Sequence, residues 1–257
     1  MSEKPNSPTP IVTLTSDFGL RDAYVAAMKA AILRRLPSAV LIDVTHQIAP
    51  QDIVAGSIAL ERAVDAFGPG TVHLAVVDPG VGGRRRIIVV RMREQFLVCP
   101  DNGLITWAWR RLGKAEAFNL TWRPRRFSAT FHGRDIMAPA AAMLAGGRPV
   151  HEIARSIDDP ILLDIRPLKP PARSGRIIYI DHFGNATTNI PRAAVVGMAI
   201  ETSGRKLRLR RTYGDARPGE PLTLIGSAQL LEIAVRNGSA ATSLRLRVGD
   251  RVRIVKK

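Results

Sequence analysis

Short apolar runs alternate along the chain with stretches whose apolar residues recur at helical spacing. Residues 11–15 (IVTLT) form a brief β-rich run. Asp22 then precedes YVAAMKAAILRRL, which predicts a helix with a basic C-terminal end, stopped by Pro37. The pattern repeats with a strand at 40–44 (VLIDV) and a helix at 53–67, which is closed by Gly68-Pro69-Gly70. A third strand at 72–77 (VHLAVV) runs straight into Asp78-Pro79-Gly80. Further apolar runs at 87–90 and 96–99 predict two more strands. Helices are predicted in LITWAWRRLG, after Asp101-Asn102-Gly103, and at 136–144, before Gly146-Gly147. Strands that read as continuous apolar runs are buried on both faces. The βαβαβ order therefore predicts an α/β fold with a mostly parallel sheet and helices on its faces.

The pattern changes near 167–175 (PLKPPARSG), where three prolines predict a stiff linker. Beyond it, helix signals nearly vanish. IIYI, AIETSG, KLRLRRTY, PLTLIG, LLEIAV, LRLRV and RVRIV alternate apolar and polar residues between Gly-rich turns. Short strands at such spacing predict a small antiparallel sheet or barrel. The expected organisation is a loose polar tail at 1–10, an α/β domain at 11–168, a linker at 169–175 and a β domain at 176–257.

Composition narrows the function classes. A chain of 257 residues that is 46% hydrophobic has enough apolar material for a real core, which excludes general disorder. No apolar run nears the roughly 18 residues that span a bilayer, so no membrane partner is expected. The N-terminal MSEKPNSPTP lacks the basic start and apolar segment of a signal peptide, and the single Cys99 fits a reducing compartment, so a cytoplasmic location is expected. One cysteine also excludes an internal disulfide and a cysteine-rich zinc site. Net charge is +16, from 38 Lys+Arg against 22 Asp+Glu, which raises a nucleic-acid reading. Against it, the basic residues are spread along the whole chain and aromatics are only 5%, so stacking platforms are scarce.

In open α/β sheets, ligands bind beyond the carboxyl ends of the strands. Three such ends carry acidic residues: Asp17-Phe18-Gly19, Asp43-Val44-Thr45-His46 and Asp78-Pro79-Gly80-Val81-Gly82. Asp43 reads as a structural cap. Asp17 and Asp78 sit beside glycines, where backbone can approach a ligand, and parallel packing could set both on one rim. Asp78 and Arg85 flank the tight loop PGVGGR and could hold a water between them, with Arg favouring hydroxide and Asp accepting a proton. The bland alternative is a surface ion pair. His132, in FHGRD, is placed to shuttle a proton near neutral pH. A metal on His46, Asp78 and His132 has no supporting ligand spacing. In the β domain, the dense polar stretch DHFGNATTNI (181–190) follows an apolar strand, and its alternative is an ordinary turn. Gly226-Ser227 and Asn237-Gly238-Ser239-Ala240 bracket LLEIAV with its buried-looking Glu232. No GxGxxG, Walker A or GxSxG motif is present, which argues against dinucleotide oxidoreductases, P-loop NTPases and serine hydrolases.

Seven segments together carry a resemblance: LTSDFGLRDAYV, IDVTHQIAPQDI, VVDPGVGGRRR, PDNGLI, FHGRDIMAP, IDHFGNATTNI and GSAQLLEIAVRNGSA. In this order, from 14 to 240, they resemble the S-adenosyl-L-methionine (SAM) hydroxide adenosyltransferases, or adenosine-forming SAM hydrolases, whose relatives include halogenating SAM enzymes. The resemblance implies an α/β domain followed by a β-barrel, and a homotrimer with the site between subunits. It implies catalysis by Asp78, Arg85 and His132, which activate water to attack ribose C5′ and release methionine. It places Asp17 on the ribose hydroxyls, Asp181 and Ser227 on the methionine moiety, and Phe183 and Asn185 on adenine. Val235 and Asn237 would complete that pocket through their backbone, with Glu232 lining it. No metal or cofactor is implied. The halogenating relatives carry a Tyr where Asp78 stands, so water is the expected nucleophile. Ala228 stands where the fluorinating relatives use an Arg on the carboxylate. Two other classes are weighed beside this reading: a SAM- or adenosine-binding protein with little turnover, and a basic nucleic-acid-binding protein.

Overall fold

The computed structural model describes residues 9–171, 173–195 and 197–256. Most of the expected N-terminal tail thus lies outside the described residues. The chain divides into two compact units, one reaching Asp164 and the other starting at Ile165. Among the described residues, no helix is long and apolar enough to cross a membrane.

The first unit is a seven-stranded sheet: β1 (Ile11–Ser16), β2 (Val40–Thr45), β3 (Val72–Val76), β4 (Ile87–Met92), β5 (Gln95–Pro100), β6 (Ala115–Leu120) and β7 (Ala154–Ile157). The spatial order is β2-β1-β3-β5-β4-β6-β7. Pairing is parallel from β2 to β5 and antiparallel from β5 to β7. The mostly parallel sheet expected from the pattern is thus mixed. The reason is local: β4 and β5 are joined by Arg93-Glu94, both at positive φ (49° and 57°), the two-residue turn that matches a twisted hairpin. Neither residue is Gly or Asn, so nothing in the sequence announced it. β6 and β7 carry weaker apolar patterns and were not anticipated.

Helices α1 (Tyr24–Leu33) and α4 (Ala138–Ala145) cover one face of the sheet, packing Met28, Ile32 and Ala141 against Leu14 and Leu74. Helices α2 (Ile53–Ala66) and α3 (Thr106–Arg111) cover the other, with Leu60, Val64 and Ile105 against Val77 and Ile88. Two predicted helices change at their ends. α1 stops at Leu33, because Arg35 and Leu36 both donate to the Ile32 carbonyl in a tightened last turn ahead of Pro37. The helix expected from Ile136 starts earlier, with a π-helical turn at Gly133–Met137 that leads into α4. Such turns are rare and favour functional sites.

A buried histidine lies in this core. The His73 ring contacts Thr13 Oγ1 at 2.7 Å and Gln95 Oε1 at 2.6 Å, and burial holds its pKa down at about 4. Cys99 is also fully buried, and burial pushes its thiol up, which suits a core residue rather than a nucleophile.

The second unit has β8 (Ser174–Ile180), β9 (Ala186–Pro191), β10 (Met198–Thr202), β11 (Arg205–Leu207), β12 (Pro221–Ile225), β13 (Leu230–Val235) and β14 (Arg251–Lys256). All pairings in the order β11-β10-β14-β8-β9-β13-β12 are antiparallel. A bridge from Leu209 to Thr223 brings the sheet's two ends together, nearly closing a barrel around Ile177, Ile190, Ile200, Leu231 and Ile233. β8 begins inside the segment expected as linker, because Ser174 and Gly175 already pair with Arg253 and Val252 of β14. The strand predicted at LRLRV (244–248) is instead a turn after a one-turn helix, Ala240–Ser243. Arg245 takes a positive φ of 54°, and Leu244 and Leu246 are buried without a strand, so the alternation has a different cause. KLRLRRTY keeps strand geometry only at its start.

Candidate active site

β1 and β3 are adjacent and parallel, with Ser16 opposite Val76. Their carboxyl ends therefore deliver Asp17 and Asp78 to the same edge of the sheet. Between them opens a cavity of about 410 Å³, lined by Asp17, Asp78 and His132 and walled by the aromatic residues Phe18, Tyr24 and Phe131. These three rings pack edge-on or tilted, with centroids 5.4–5.9 Å apart. The aromatic wall was not foreseen, because Phe131 lies far along the chain from Phe18 and Tyr24 and none carries a signal alone. The Asp17 carboxylate accepts from the Gln51 backbone N–H at 2.8 Å, which fixes its orientation.

Asp78 and Arg85 are in direct contact rather than bridged by water. Arg85 Nε donates to Asp78 Oδ1 at 2.9 Å and Oδ2 at 3.0 Å, and Arg85 Nη2 donates to Oδ2 as well. The side chains are 10% and 5% exposed, so this is a buried pair and not the surface pair of the bland reading. Arg85 Nη2 also contacts His132 Nδ1 at 3.0 Å. A guanidinium only donates, so Nδ1 must accept and the proton of a neutral His132 sits on Nε2. Burial and the positive charges of Arg85 and Arg123 hold the His132 pKa below its ordinary value, against the opposing pull of Asp78. Arg85 itself does not line the cavity. It stands behind Asp78 and His132 and ties them together.

The loop fits because of its glycines. Gly82 has φ of +78°, and a Cβ there would meet the Ala129 carbonyl at 2.7 Å. Gly133, where the π turn starts, packs so closely that a Cβ would lie 3.3 Å from Val76 and 3.4 Å from Met28 Sδ. That approach seats His132 beside the end of β3. Phe127 lies edge-on to the His132 ring at 5.6 Å.

Of the other candidates, Asp43 makes structural contacts, but from within β2 and not as a helix cap, a role that Asp52 takes for α2. Asp43 accepts from Lys29 Nζ at 2.6 Å and contacts His46 Nε2 at 3.0 Å. His46 is buried, with its Nδ1 on Ser16 Oγ at 2.7 Å, and it does not line the cavity. Among the described residues, no group of three or more His, Cys, Asp or Glu could hold a metal ion.

In the second unit, Asp181 organises its own turn. It accepts from the backbone N–H of Phe183 at 2.9 Å and of Asn185 at 2.8 Å, and from Asn185 Nδ2 at 3.1 Å. The turn leaves Phe183 73% exposed, an unusual state for a large ring, while Asn185 is buried. Gly184 then fits where a Cβ would lie 2.1 Å from Ser239 Oγ, and its carbonyl accepts from Ala241 N–H at 2.9 Å. The two polar motifs, 181–190 and 237–240, are thereby brought side by side. Asn237 turns at φ of 54°, next to a bridge between the buried Val235 and Gly238. Ser227 is exposed in a turn closed by Gln229 N–H on the Gly226 carbonyl at 2.9 Å. Glu232 is half-buried rather than buried, and it accepts from Tyr213 Oη at 2.6 Å. Burial and Glu232 push the Tyr213 phenol up. Tyr213 was missed because it lies far along the chain in a segment read as strand.

These geometries sit within a chain that matches one family over nearly its whole length. The N-terminal domain of the SAM hydroxide adenosyltransferases matches residues 12–154, and their C-terminal domain matches 175–253. The chain belongs to this family. It is 40% identical over 256 residues to a Thermus thermophilus protein named (R)-S-adenosyl-L-methionine hydrolase, covering 95% of this chain and 99% of that one. It is 27% identical over 296 residues to a fluorinase from an Actinoplanes species, covering 98% and 99%. Among solved structures, an uncharacterized conserved protein from Thermotoga maritima superposes with a TM-score of 0.88 at 35% identity, covering 96% of this chain and 100% of that one. Membership in the hydroxide adenosyltransferases gives the buried Asp78–Arg85–His132 set a chemical context, because the family's name specifies hydroxide as the group that takes the adenosyl unit.

Proposed function

We propose that this chain hydrolyses SAM to adenosine and L-methionine. The observation that carries the reading is the Asp78–Arg85–His132 set, with Asp78 and His132 on the cavity wall and Arg85 tying them together behind it, in a chain 40% identical to a named SAM hydrolase. In the proposed step, the oxygen of a bound water attacks C5′ of the ribose. The C5′–S bond breaks with its electron pair going to sulfur, so the sulfonium leaves as a neutral thioether. One water proton passes to Asp78 and then to solvent, and the other stays on the new 5′-hydroxyl. An ionised carboxylate offers about four lone-pair sites, so Asp78 keeps acceptor capacity beyond its bonds to Arg85. His132, whose Nδ1 already accepts from Arg85, presents Nε2–H and orients the water as a donor. The sulfonium is already a good leaving group, so catalysis rests on positioning and on stabilising hydroxide character. No metal or cofactor takes part in this scheme.

In this reading Asp17 holds the ribose hydroxyls, Phe183 and Asn185 meet adenine with the backbone at Val235 and Asn237, and Asp181 and Ser227 meet the methionine moiety beside Glu232. The working assembly is a homotrimer in which a neighbouring copy completes the cavity, and light scattering tests its mass. The activity test supplies the (R) and (S) sulfonium epimers separately, with and without chloride, and separates products by chromatography. Adenosine and methionine in equal amounts, unaffected by chloride, is the expected result. Binding of adenosine without turnover would overturn the reading in favour of a binding protein, and a 5′-halogenated product would overturn water as the nucleophile.

A further inference from the structure

We propose that Asp101 and Asn102 are positioning residues for the hydrolysis, clamping the two ends of the loop that carries Asp78 and Arg85. The inference rests on the hydrolase reading above and assigns a job to the PDNG segment, which that reading leaves without one. The topology sets it up. The loop connects β3 to β4, but those strands are not neighbours, because β5 lies between them and pairs with both. The loop must therefore cross over the carboxyl end of β5, and Asp101-Asn102 is the dipeptide that leaves that end.

The two side chains reach in opposite directions. Asn102 Nδ2 donates to the Val77 carbonyl at 2.8 Å, immediately before Asp78. Its Oδ1 accepts from the Leu104 backbone N–H at 3.2 Å, which fixes the amide orientation. On the other side, Asp101 Oδ2 accepts from Arg86 Nε at 2.7 Å, immediately after Arg85. The Asp101 backbone N–H donates to the Arg86 carbonyl at 3.0 Å. Asp101 Oδ1 accepts from the Ile161 backbone N–H at 2.8 Å, so both carboxylate oxygens are engaged. The Asp101 side chain has no exposure, and Arg86 is held further out by the Asp159 carboxylate and carbonyl, each at 2.7 Å. Neither Asp101 nor Asn102 lines the cavity. They act through the backbone on both sides of the reacting groups. A carboxylate and a guanidinium that must share a histidine and a water tolerate little play, since a misplacement of about 1 Å can cost about 100-fold in rate.

The test compares Asn102→Ala and Arg86→Gln with wild type, counting intact sites by adenosine binding. The kcat is expected to fall roughly 10–100-fold, with KM and adenosine affinity within about threefold of wild type. Added to Asp78→Ala, Asn102→Ala is expected to cost less than about threefold more, because there is no longer a carboxylate to place. A kcat within about threefold of wild type for both variants, or a full additional loss in the Asp78→Ala background, would overturn the clamp. If Asn102→Ala does not fold, Asn102→Asp keeps the size and the Leu104 contact while denying Val77 its donor, and it is held to the same limits.

A second readout needs no turnover. Burial, Arg85 and Arg123 lower the His132 pKa, against the pull of Asp78 and Asp135. Loosening Arg85 through Arg86→Gln is expected to raise the His132 titration by NMR toward its ordinary value, and an unmoved titration would overturn the Arg86 arm. If wild type made no adenosine, the hydrolase reading would fall, and the titration would still decide whether Arg86 holds Arg85.

Discussion

Replacing Asp78 separates two roles that the structure combines in one side chain. Asp78 neutralises the Arg85 guanidinium through contacts to Nε and Nη2, in a pair that is 10% and 5% exposed. Asp78→Ala leaves that guanidinium buried without its counter-charge, a change that typically costs about 3–5 kcal/mol. At roughly 2–4 °C of melting temperature per kcal/mol for a chain of this size class, the loss is about 6–20 °C. Asp78→Asn keeps one acceptor oxygen toward Arg85 while its amide nitrogen replaces the other, so its cost is about 1–3 kcal/mol. Activity should rank differently. Both variants lack the proton acceptor, and the rate should fall roughly 100- to 10,000-fold in each. The assay is a thermal melt beside SAM turnover on the same preparations. An Asp78→Asn enzyme that turns over within about tenfold of wild type would refute the base assignment. An Asp78→Ala protein that melts with wild type would refute the claim that Arg85 depends on Asp78 for its counter-charge.

Three further outcomes are expected. His132 is held below its ordinary pKa of 6.5, so kcat/KM should be level above that pH and fall as acid protonates the ring, with a midpoint below 6.5; a limb centred above 6.5 in a pH–rate profile would count against neutral His132 as the working form. The sign for folding is the same, since a histidine with a depressed folded pKa contributes stability above its unfolded pKa and loses it as pH falls through the folded one. Gly82→Ala forces a side chain onto a φ of +78° and toward the Ala129 carbonyl, so turnover should drop at least about tenfold while adenosine affinity holds, as read by kinetics and calorimetry. Phe183→Ala removes a ring that is 73% exposed, so the melt should move by no more than about 0.5 kcal/mol while KM rises several-fold; an unchanged KM would remove Phe183 from the binding surface.

What the sequence could show depended on whether a feature was local. Asp78 and Arg85 were legible as a pair because they lie close in sequence with Pro79, Gly80, Gly82 and Gly83 between them, leaving a tight loop few ways to run. Asp17 joined them because strand-end acidic residues beside glycine share an edge once the strands are parallel. His132 was legible as a candidate, but its tautomer was not, since that follows from Arg85 donating to Nδ1 across 47 residues of chain. The hairpin that makes the sheet mixed was invisible because Arg93 and Glu94 adopt a conformation that their types disfavour, held there by the β4–β5 pairing on either side. The LRLRV turn misled for the converse reason. Alternating burial is what a strand produces, but a turn that drops two leucines onto a barrel end produces it too.

The strongest dependence on tertiary structure lies in how the site is held rather than in what it contains. The Asn102 donor to Val77 and the Asp101 acceptor for Arg86 are meaningful only once β5 is known to lie between β3 and β4, and that order comes from the unannounced hairpin. A parallel continuation with β4 beside β3 would have put the loop over no strand end and left PDNG with nothing to grip. The departure from a parallel sheet and the grip on the reacting loop are therefore one feature. Inserting β5 between the strands the loop joins forces a crossover, and the crossover places a carboxylate and an amide within reach of both loop ends. A change that weakened the Arg93-Glu94 turn should thus reach the active site through β5. Replacing that pair by Asn-Gly, which suits the same turn, should leave turnover intact, whereas Pro at 94, which fixes φ near −65° where the chain needs +57°, should lower stability and turnover together.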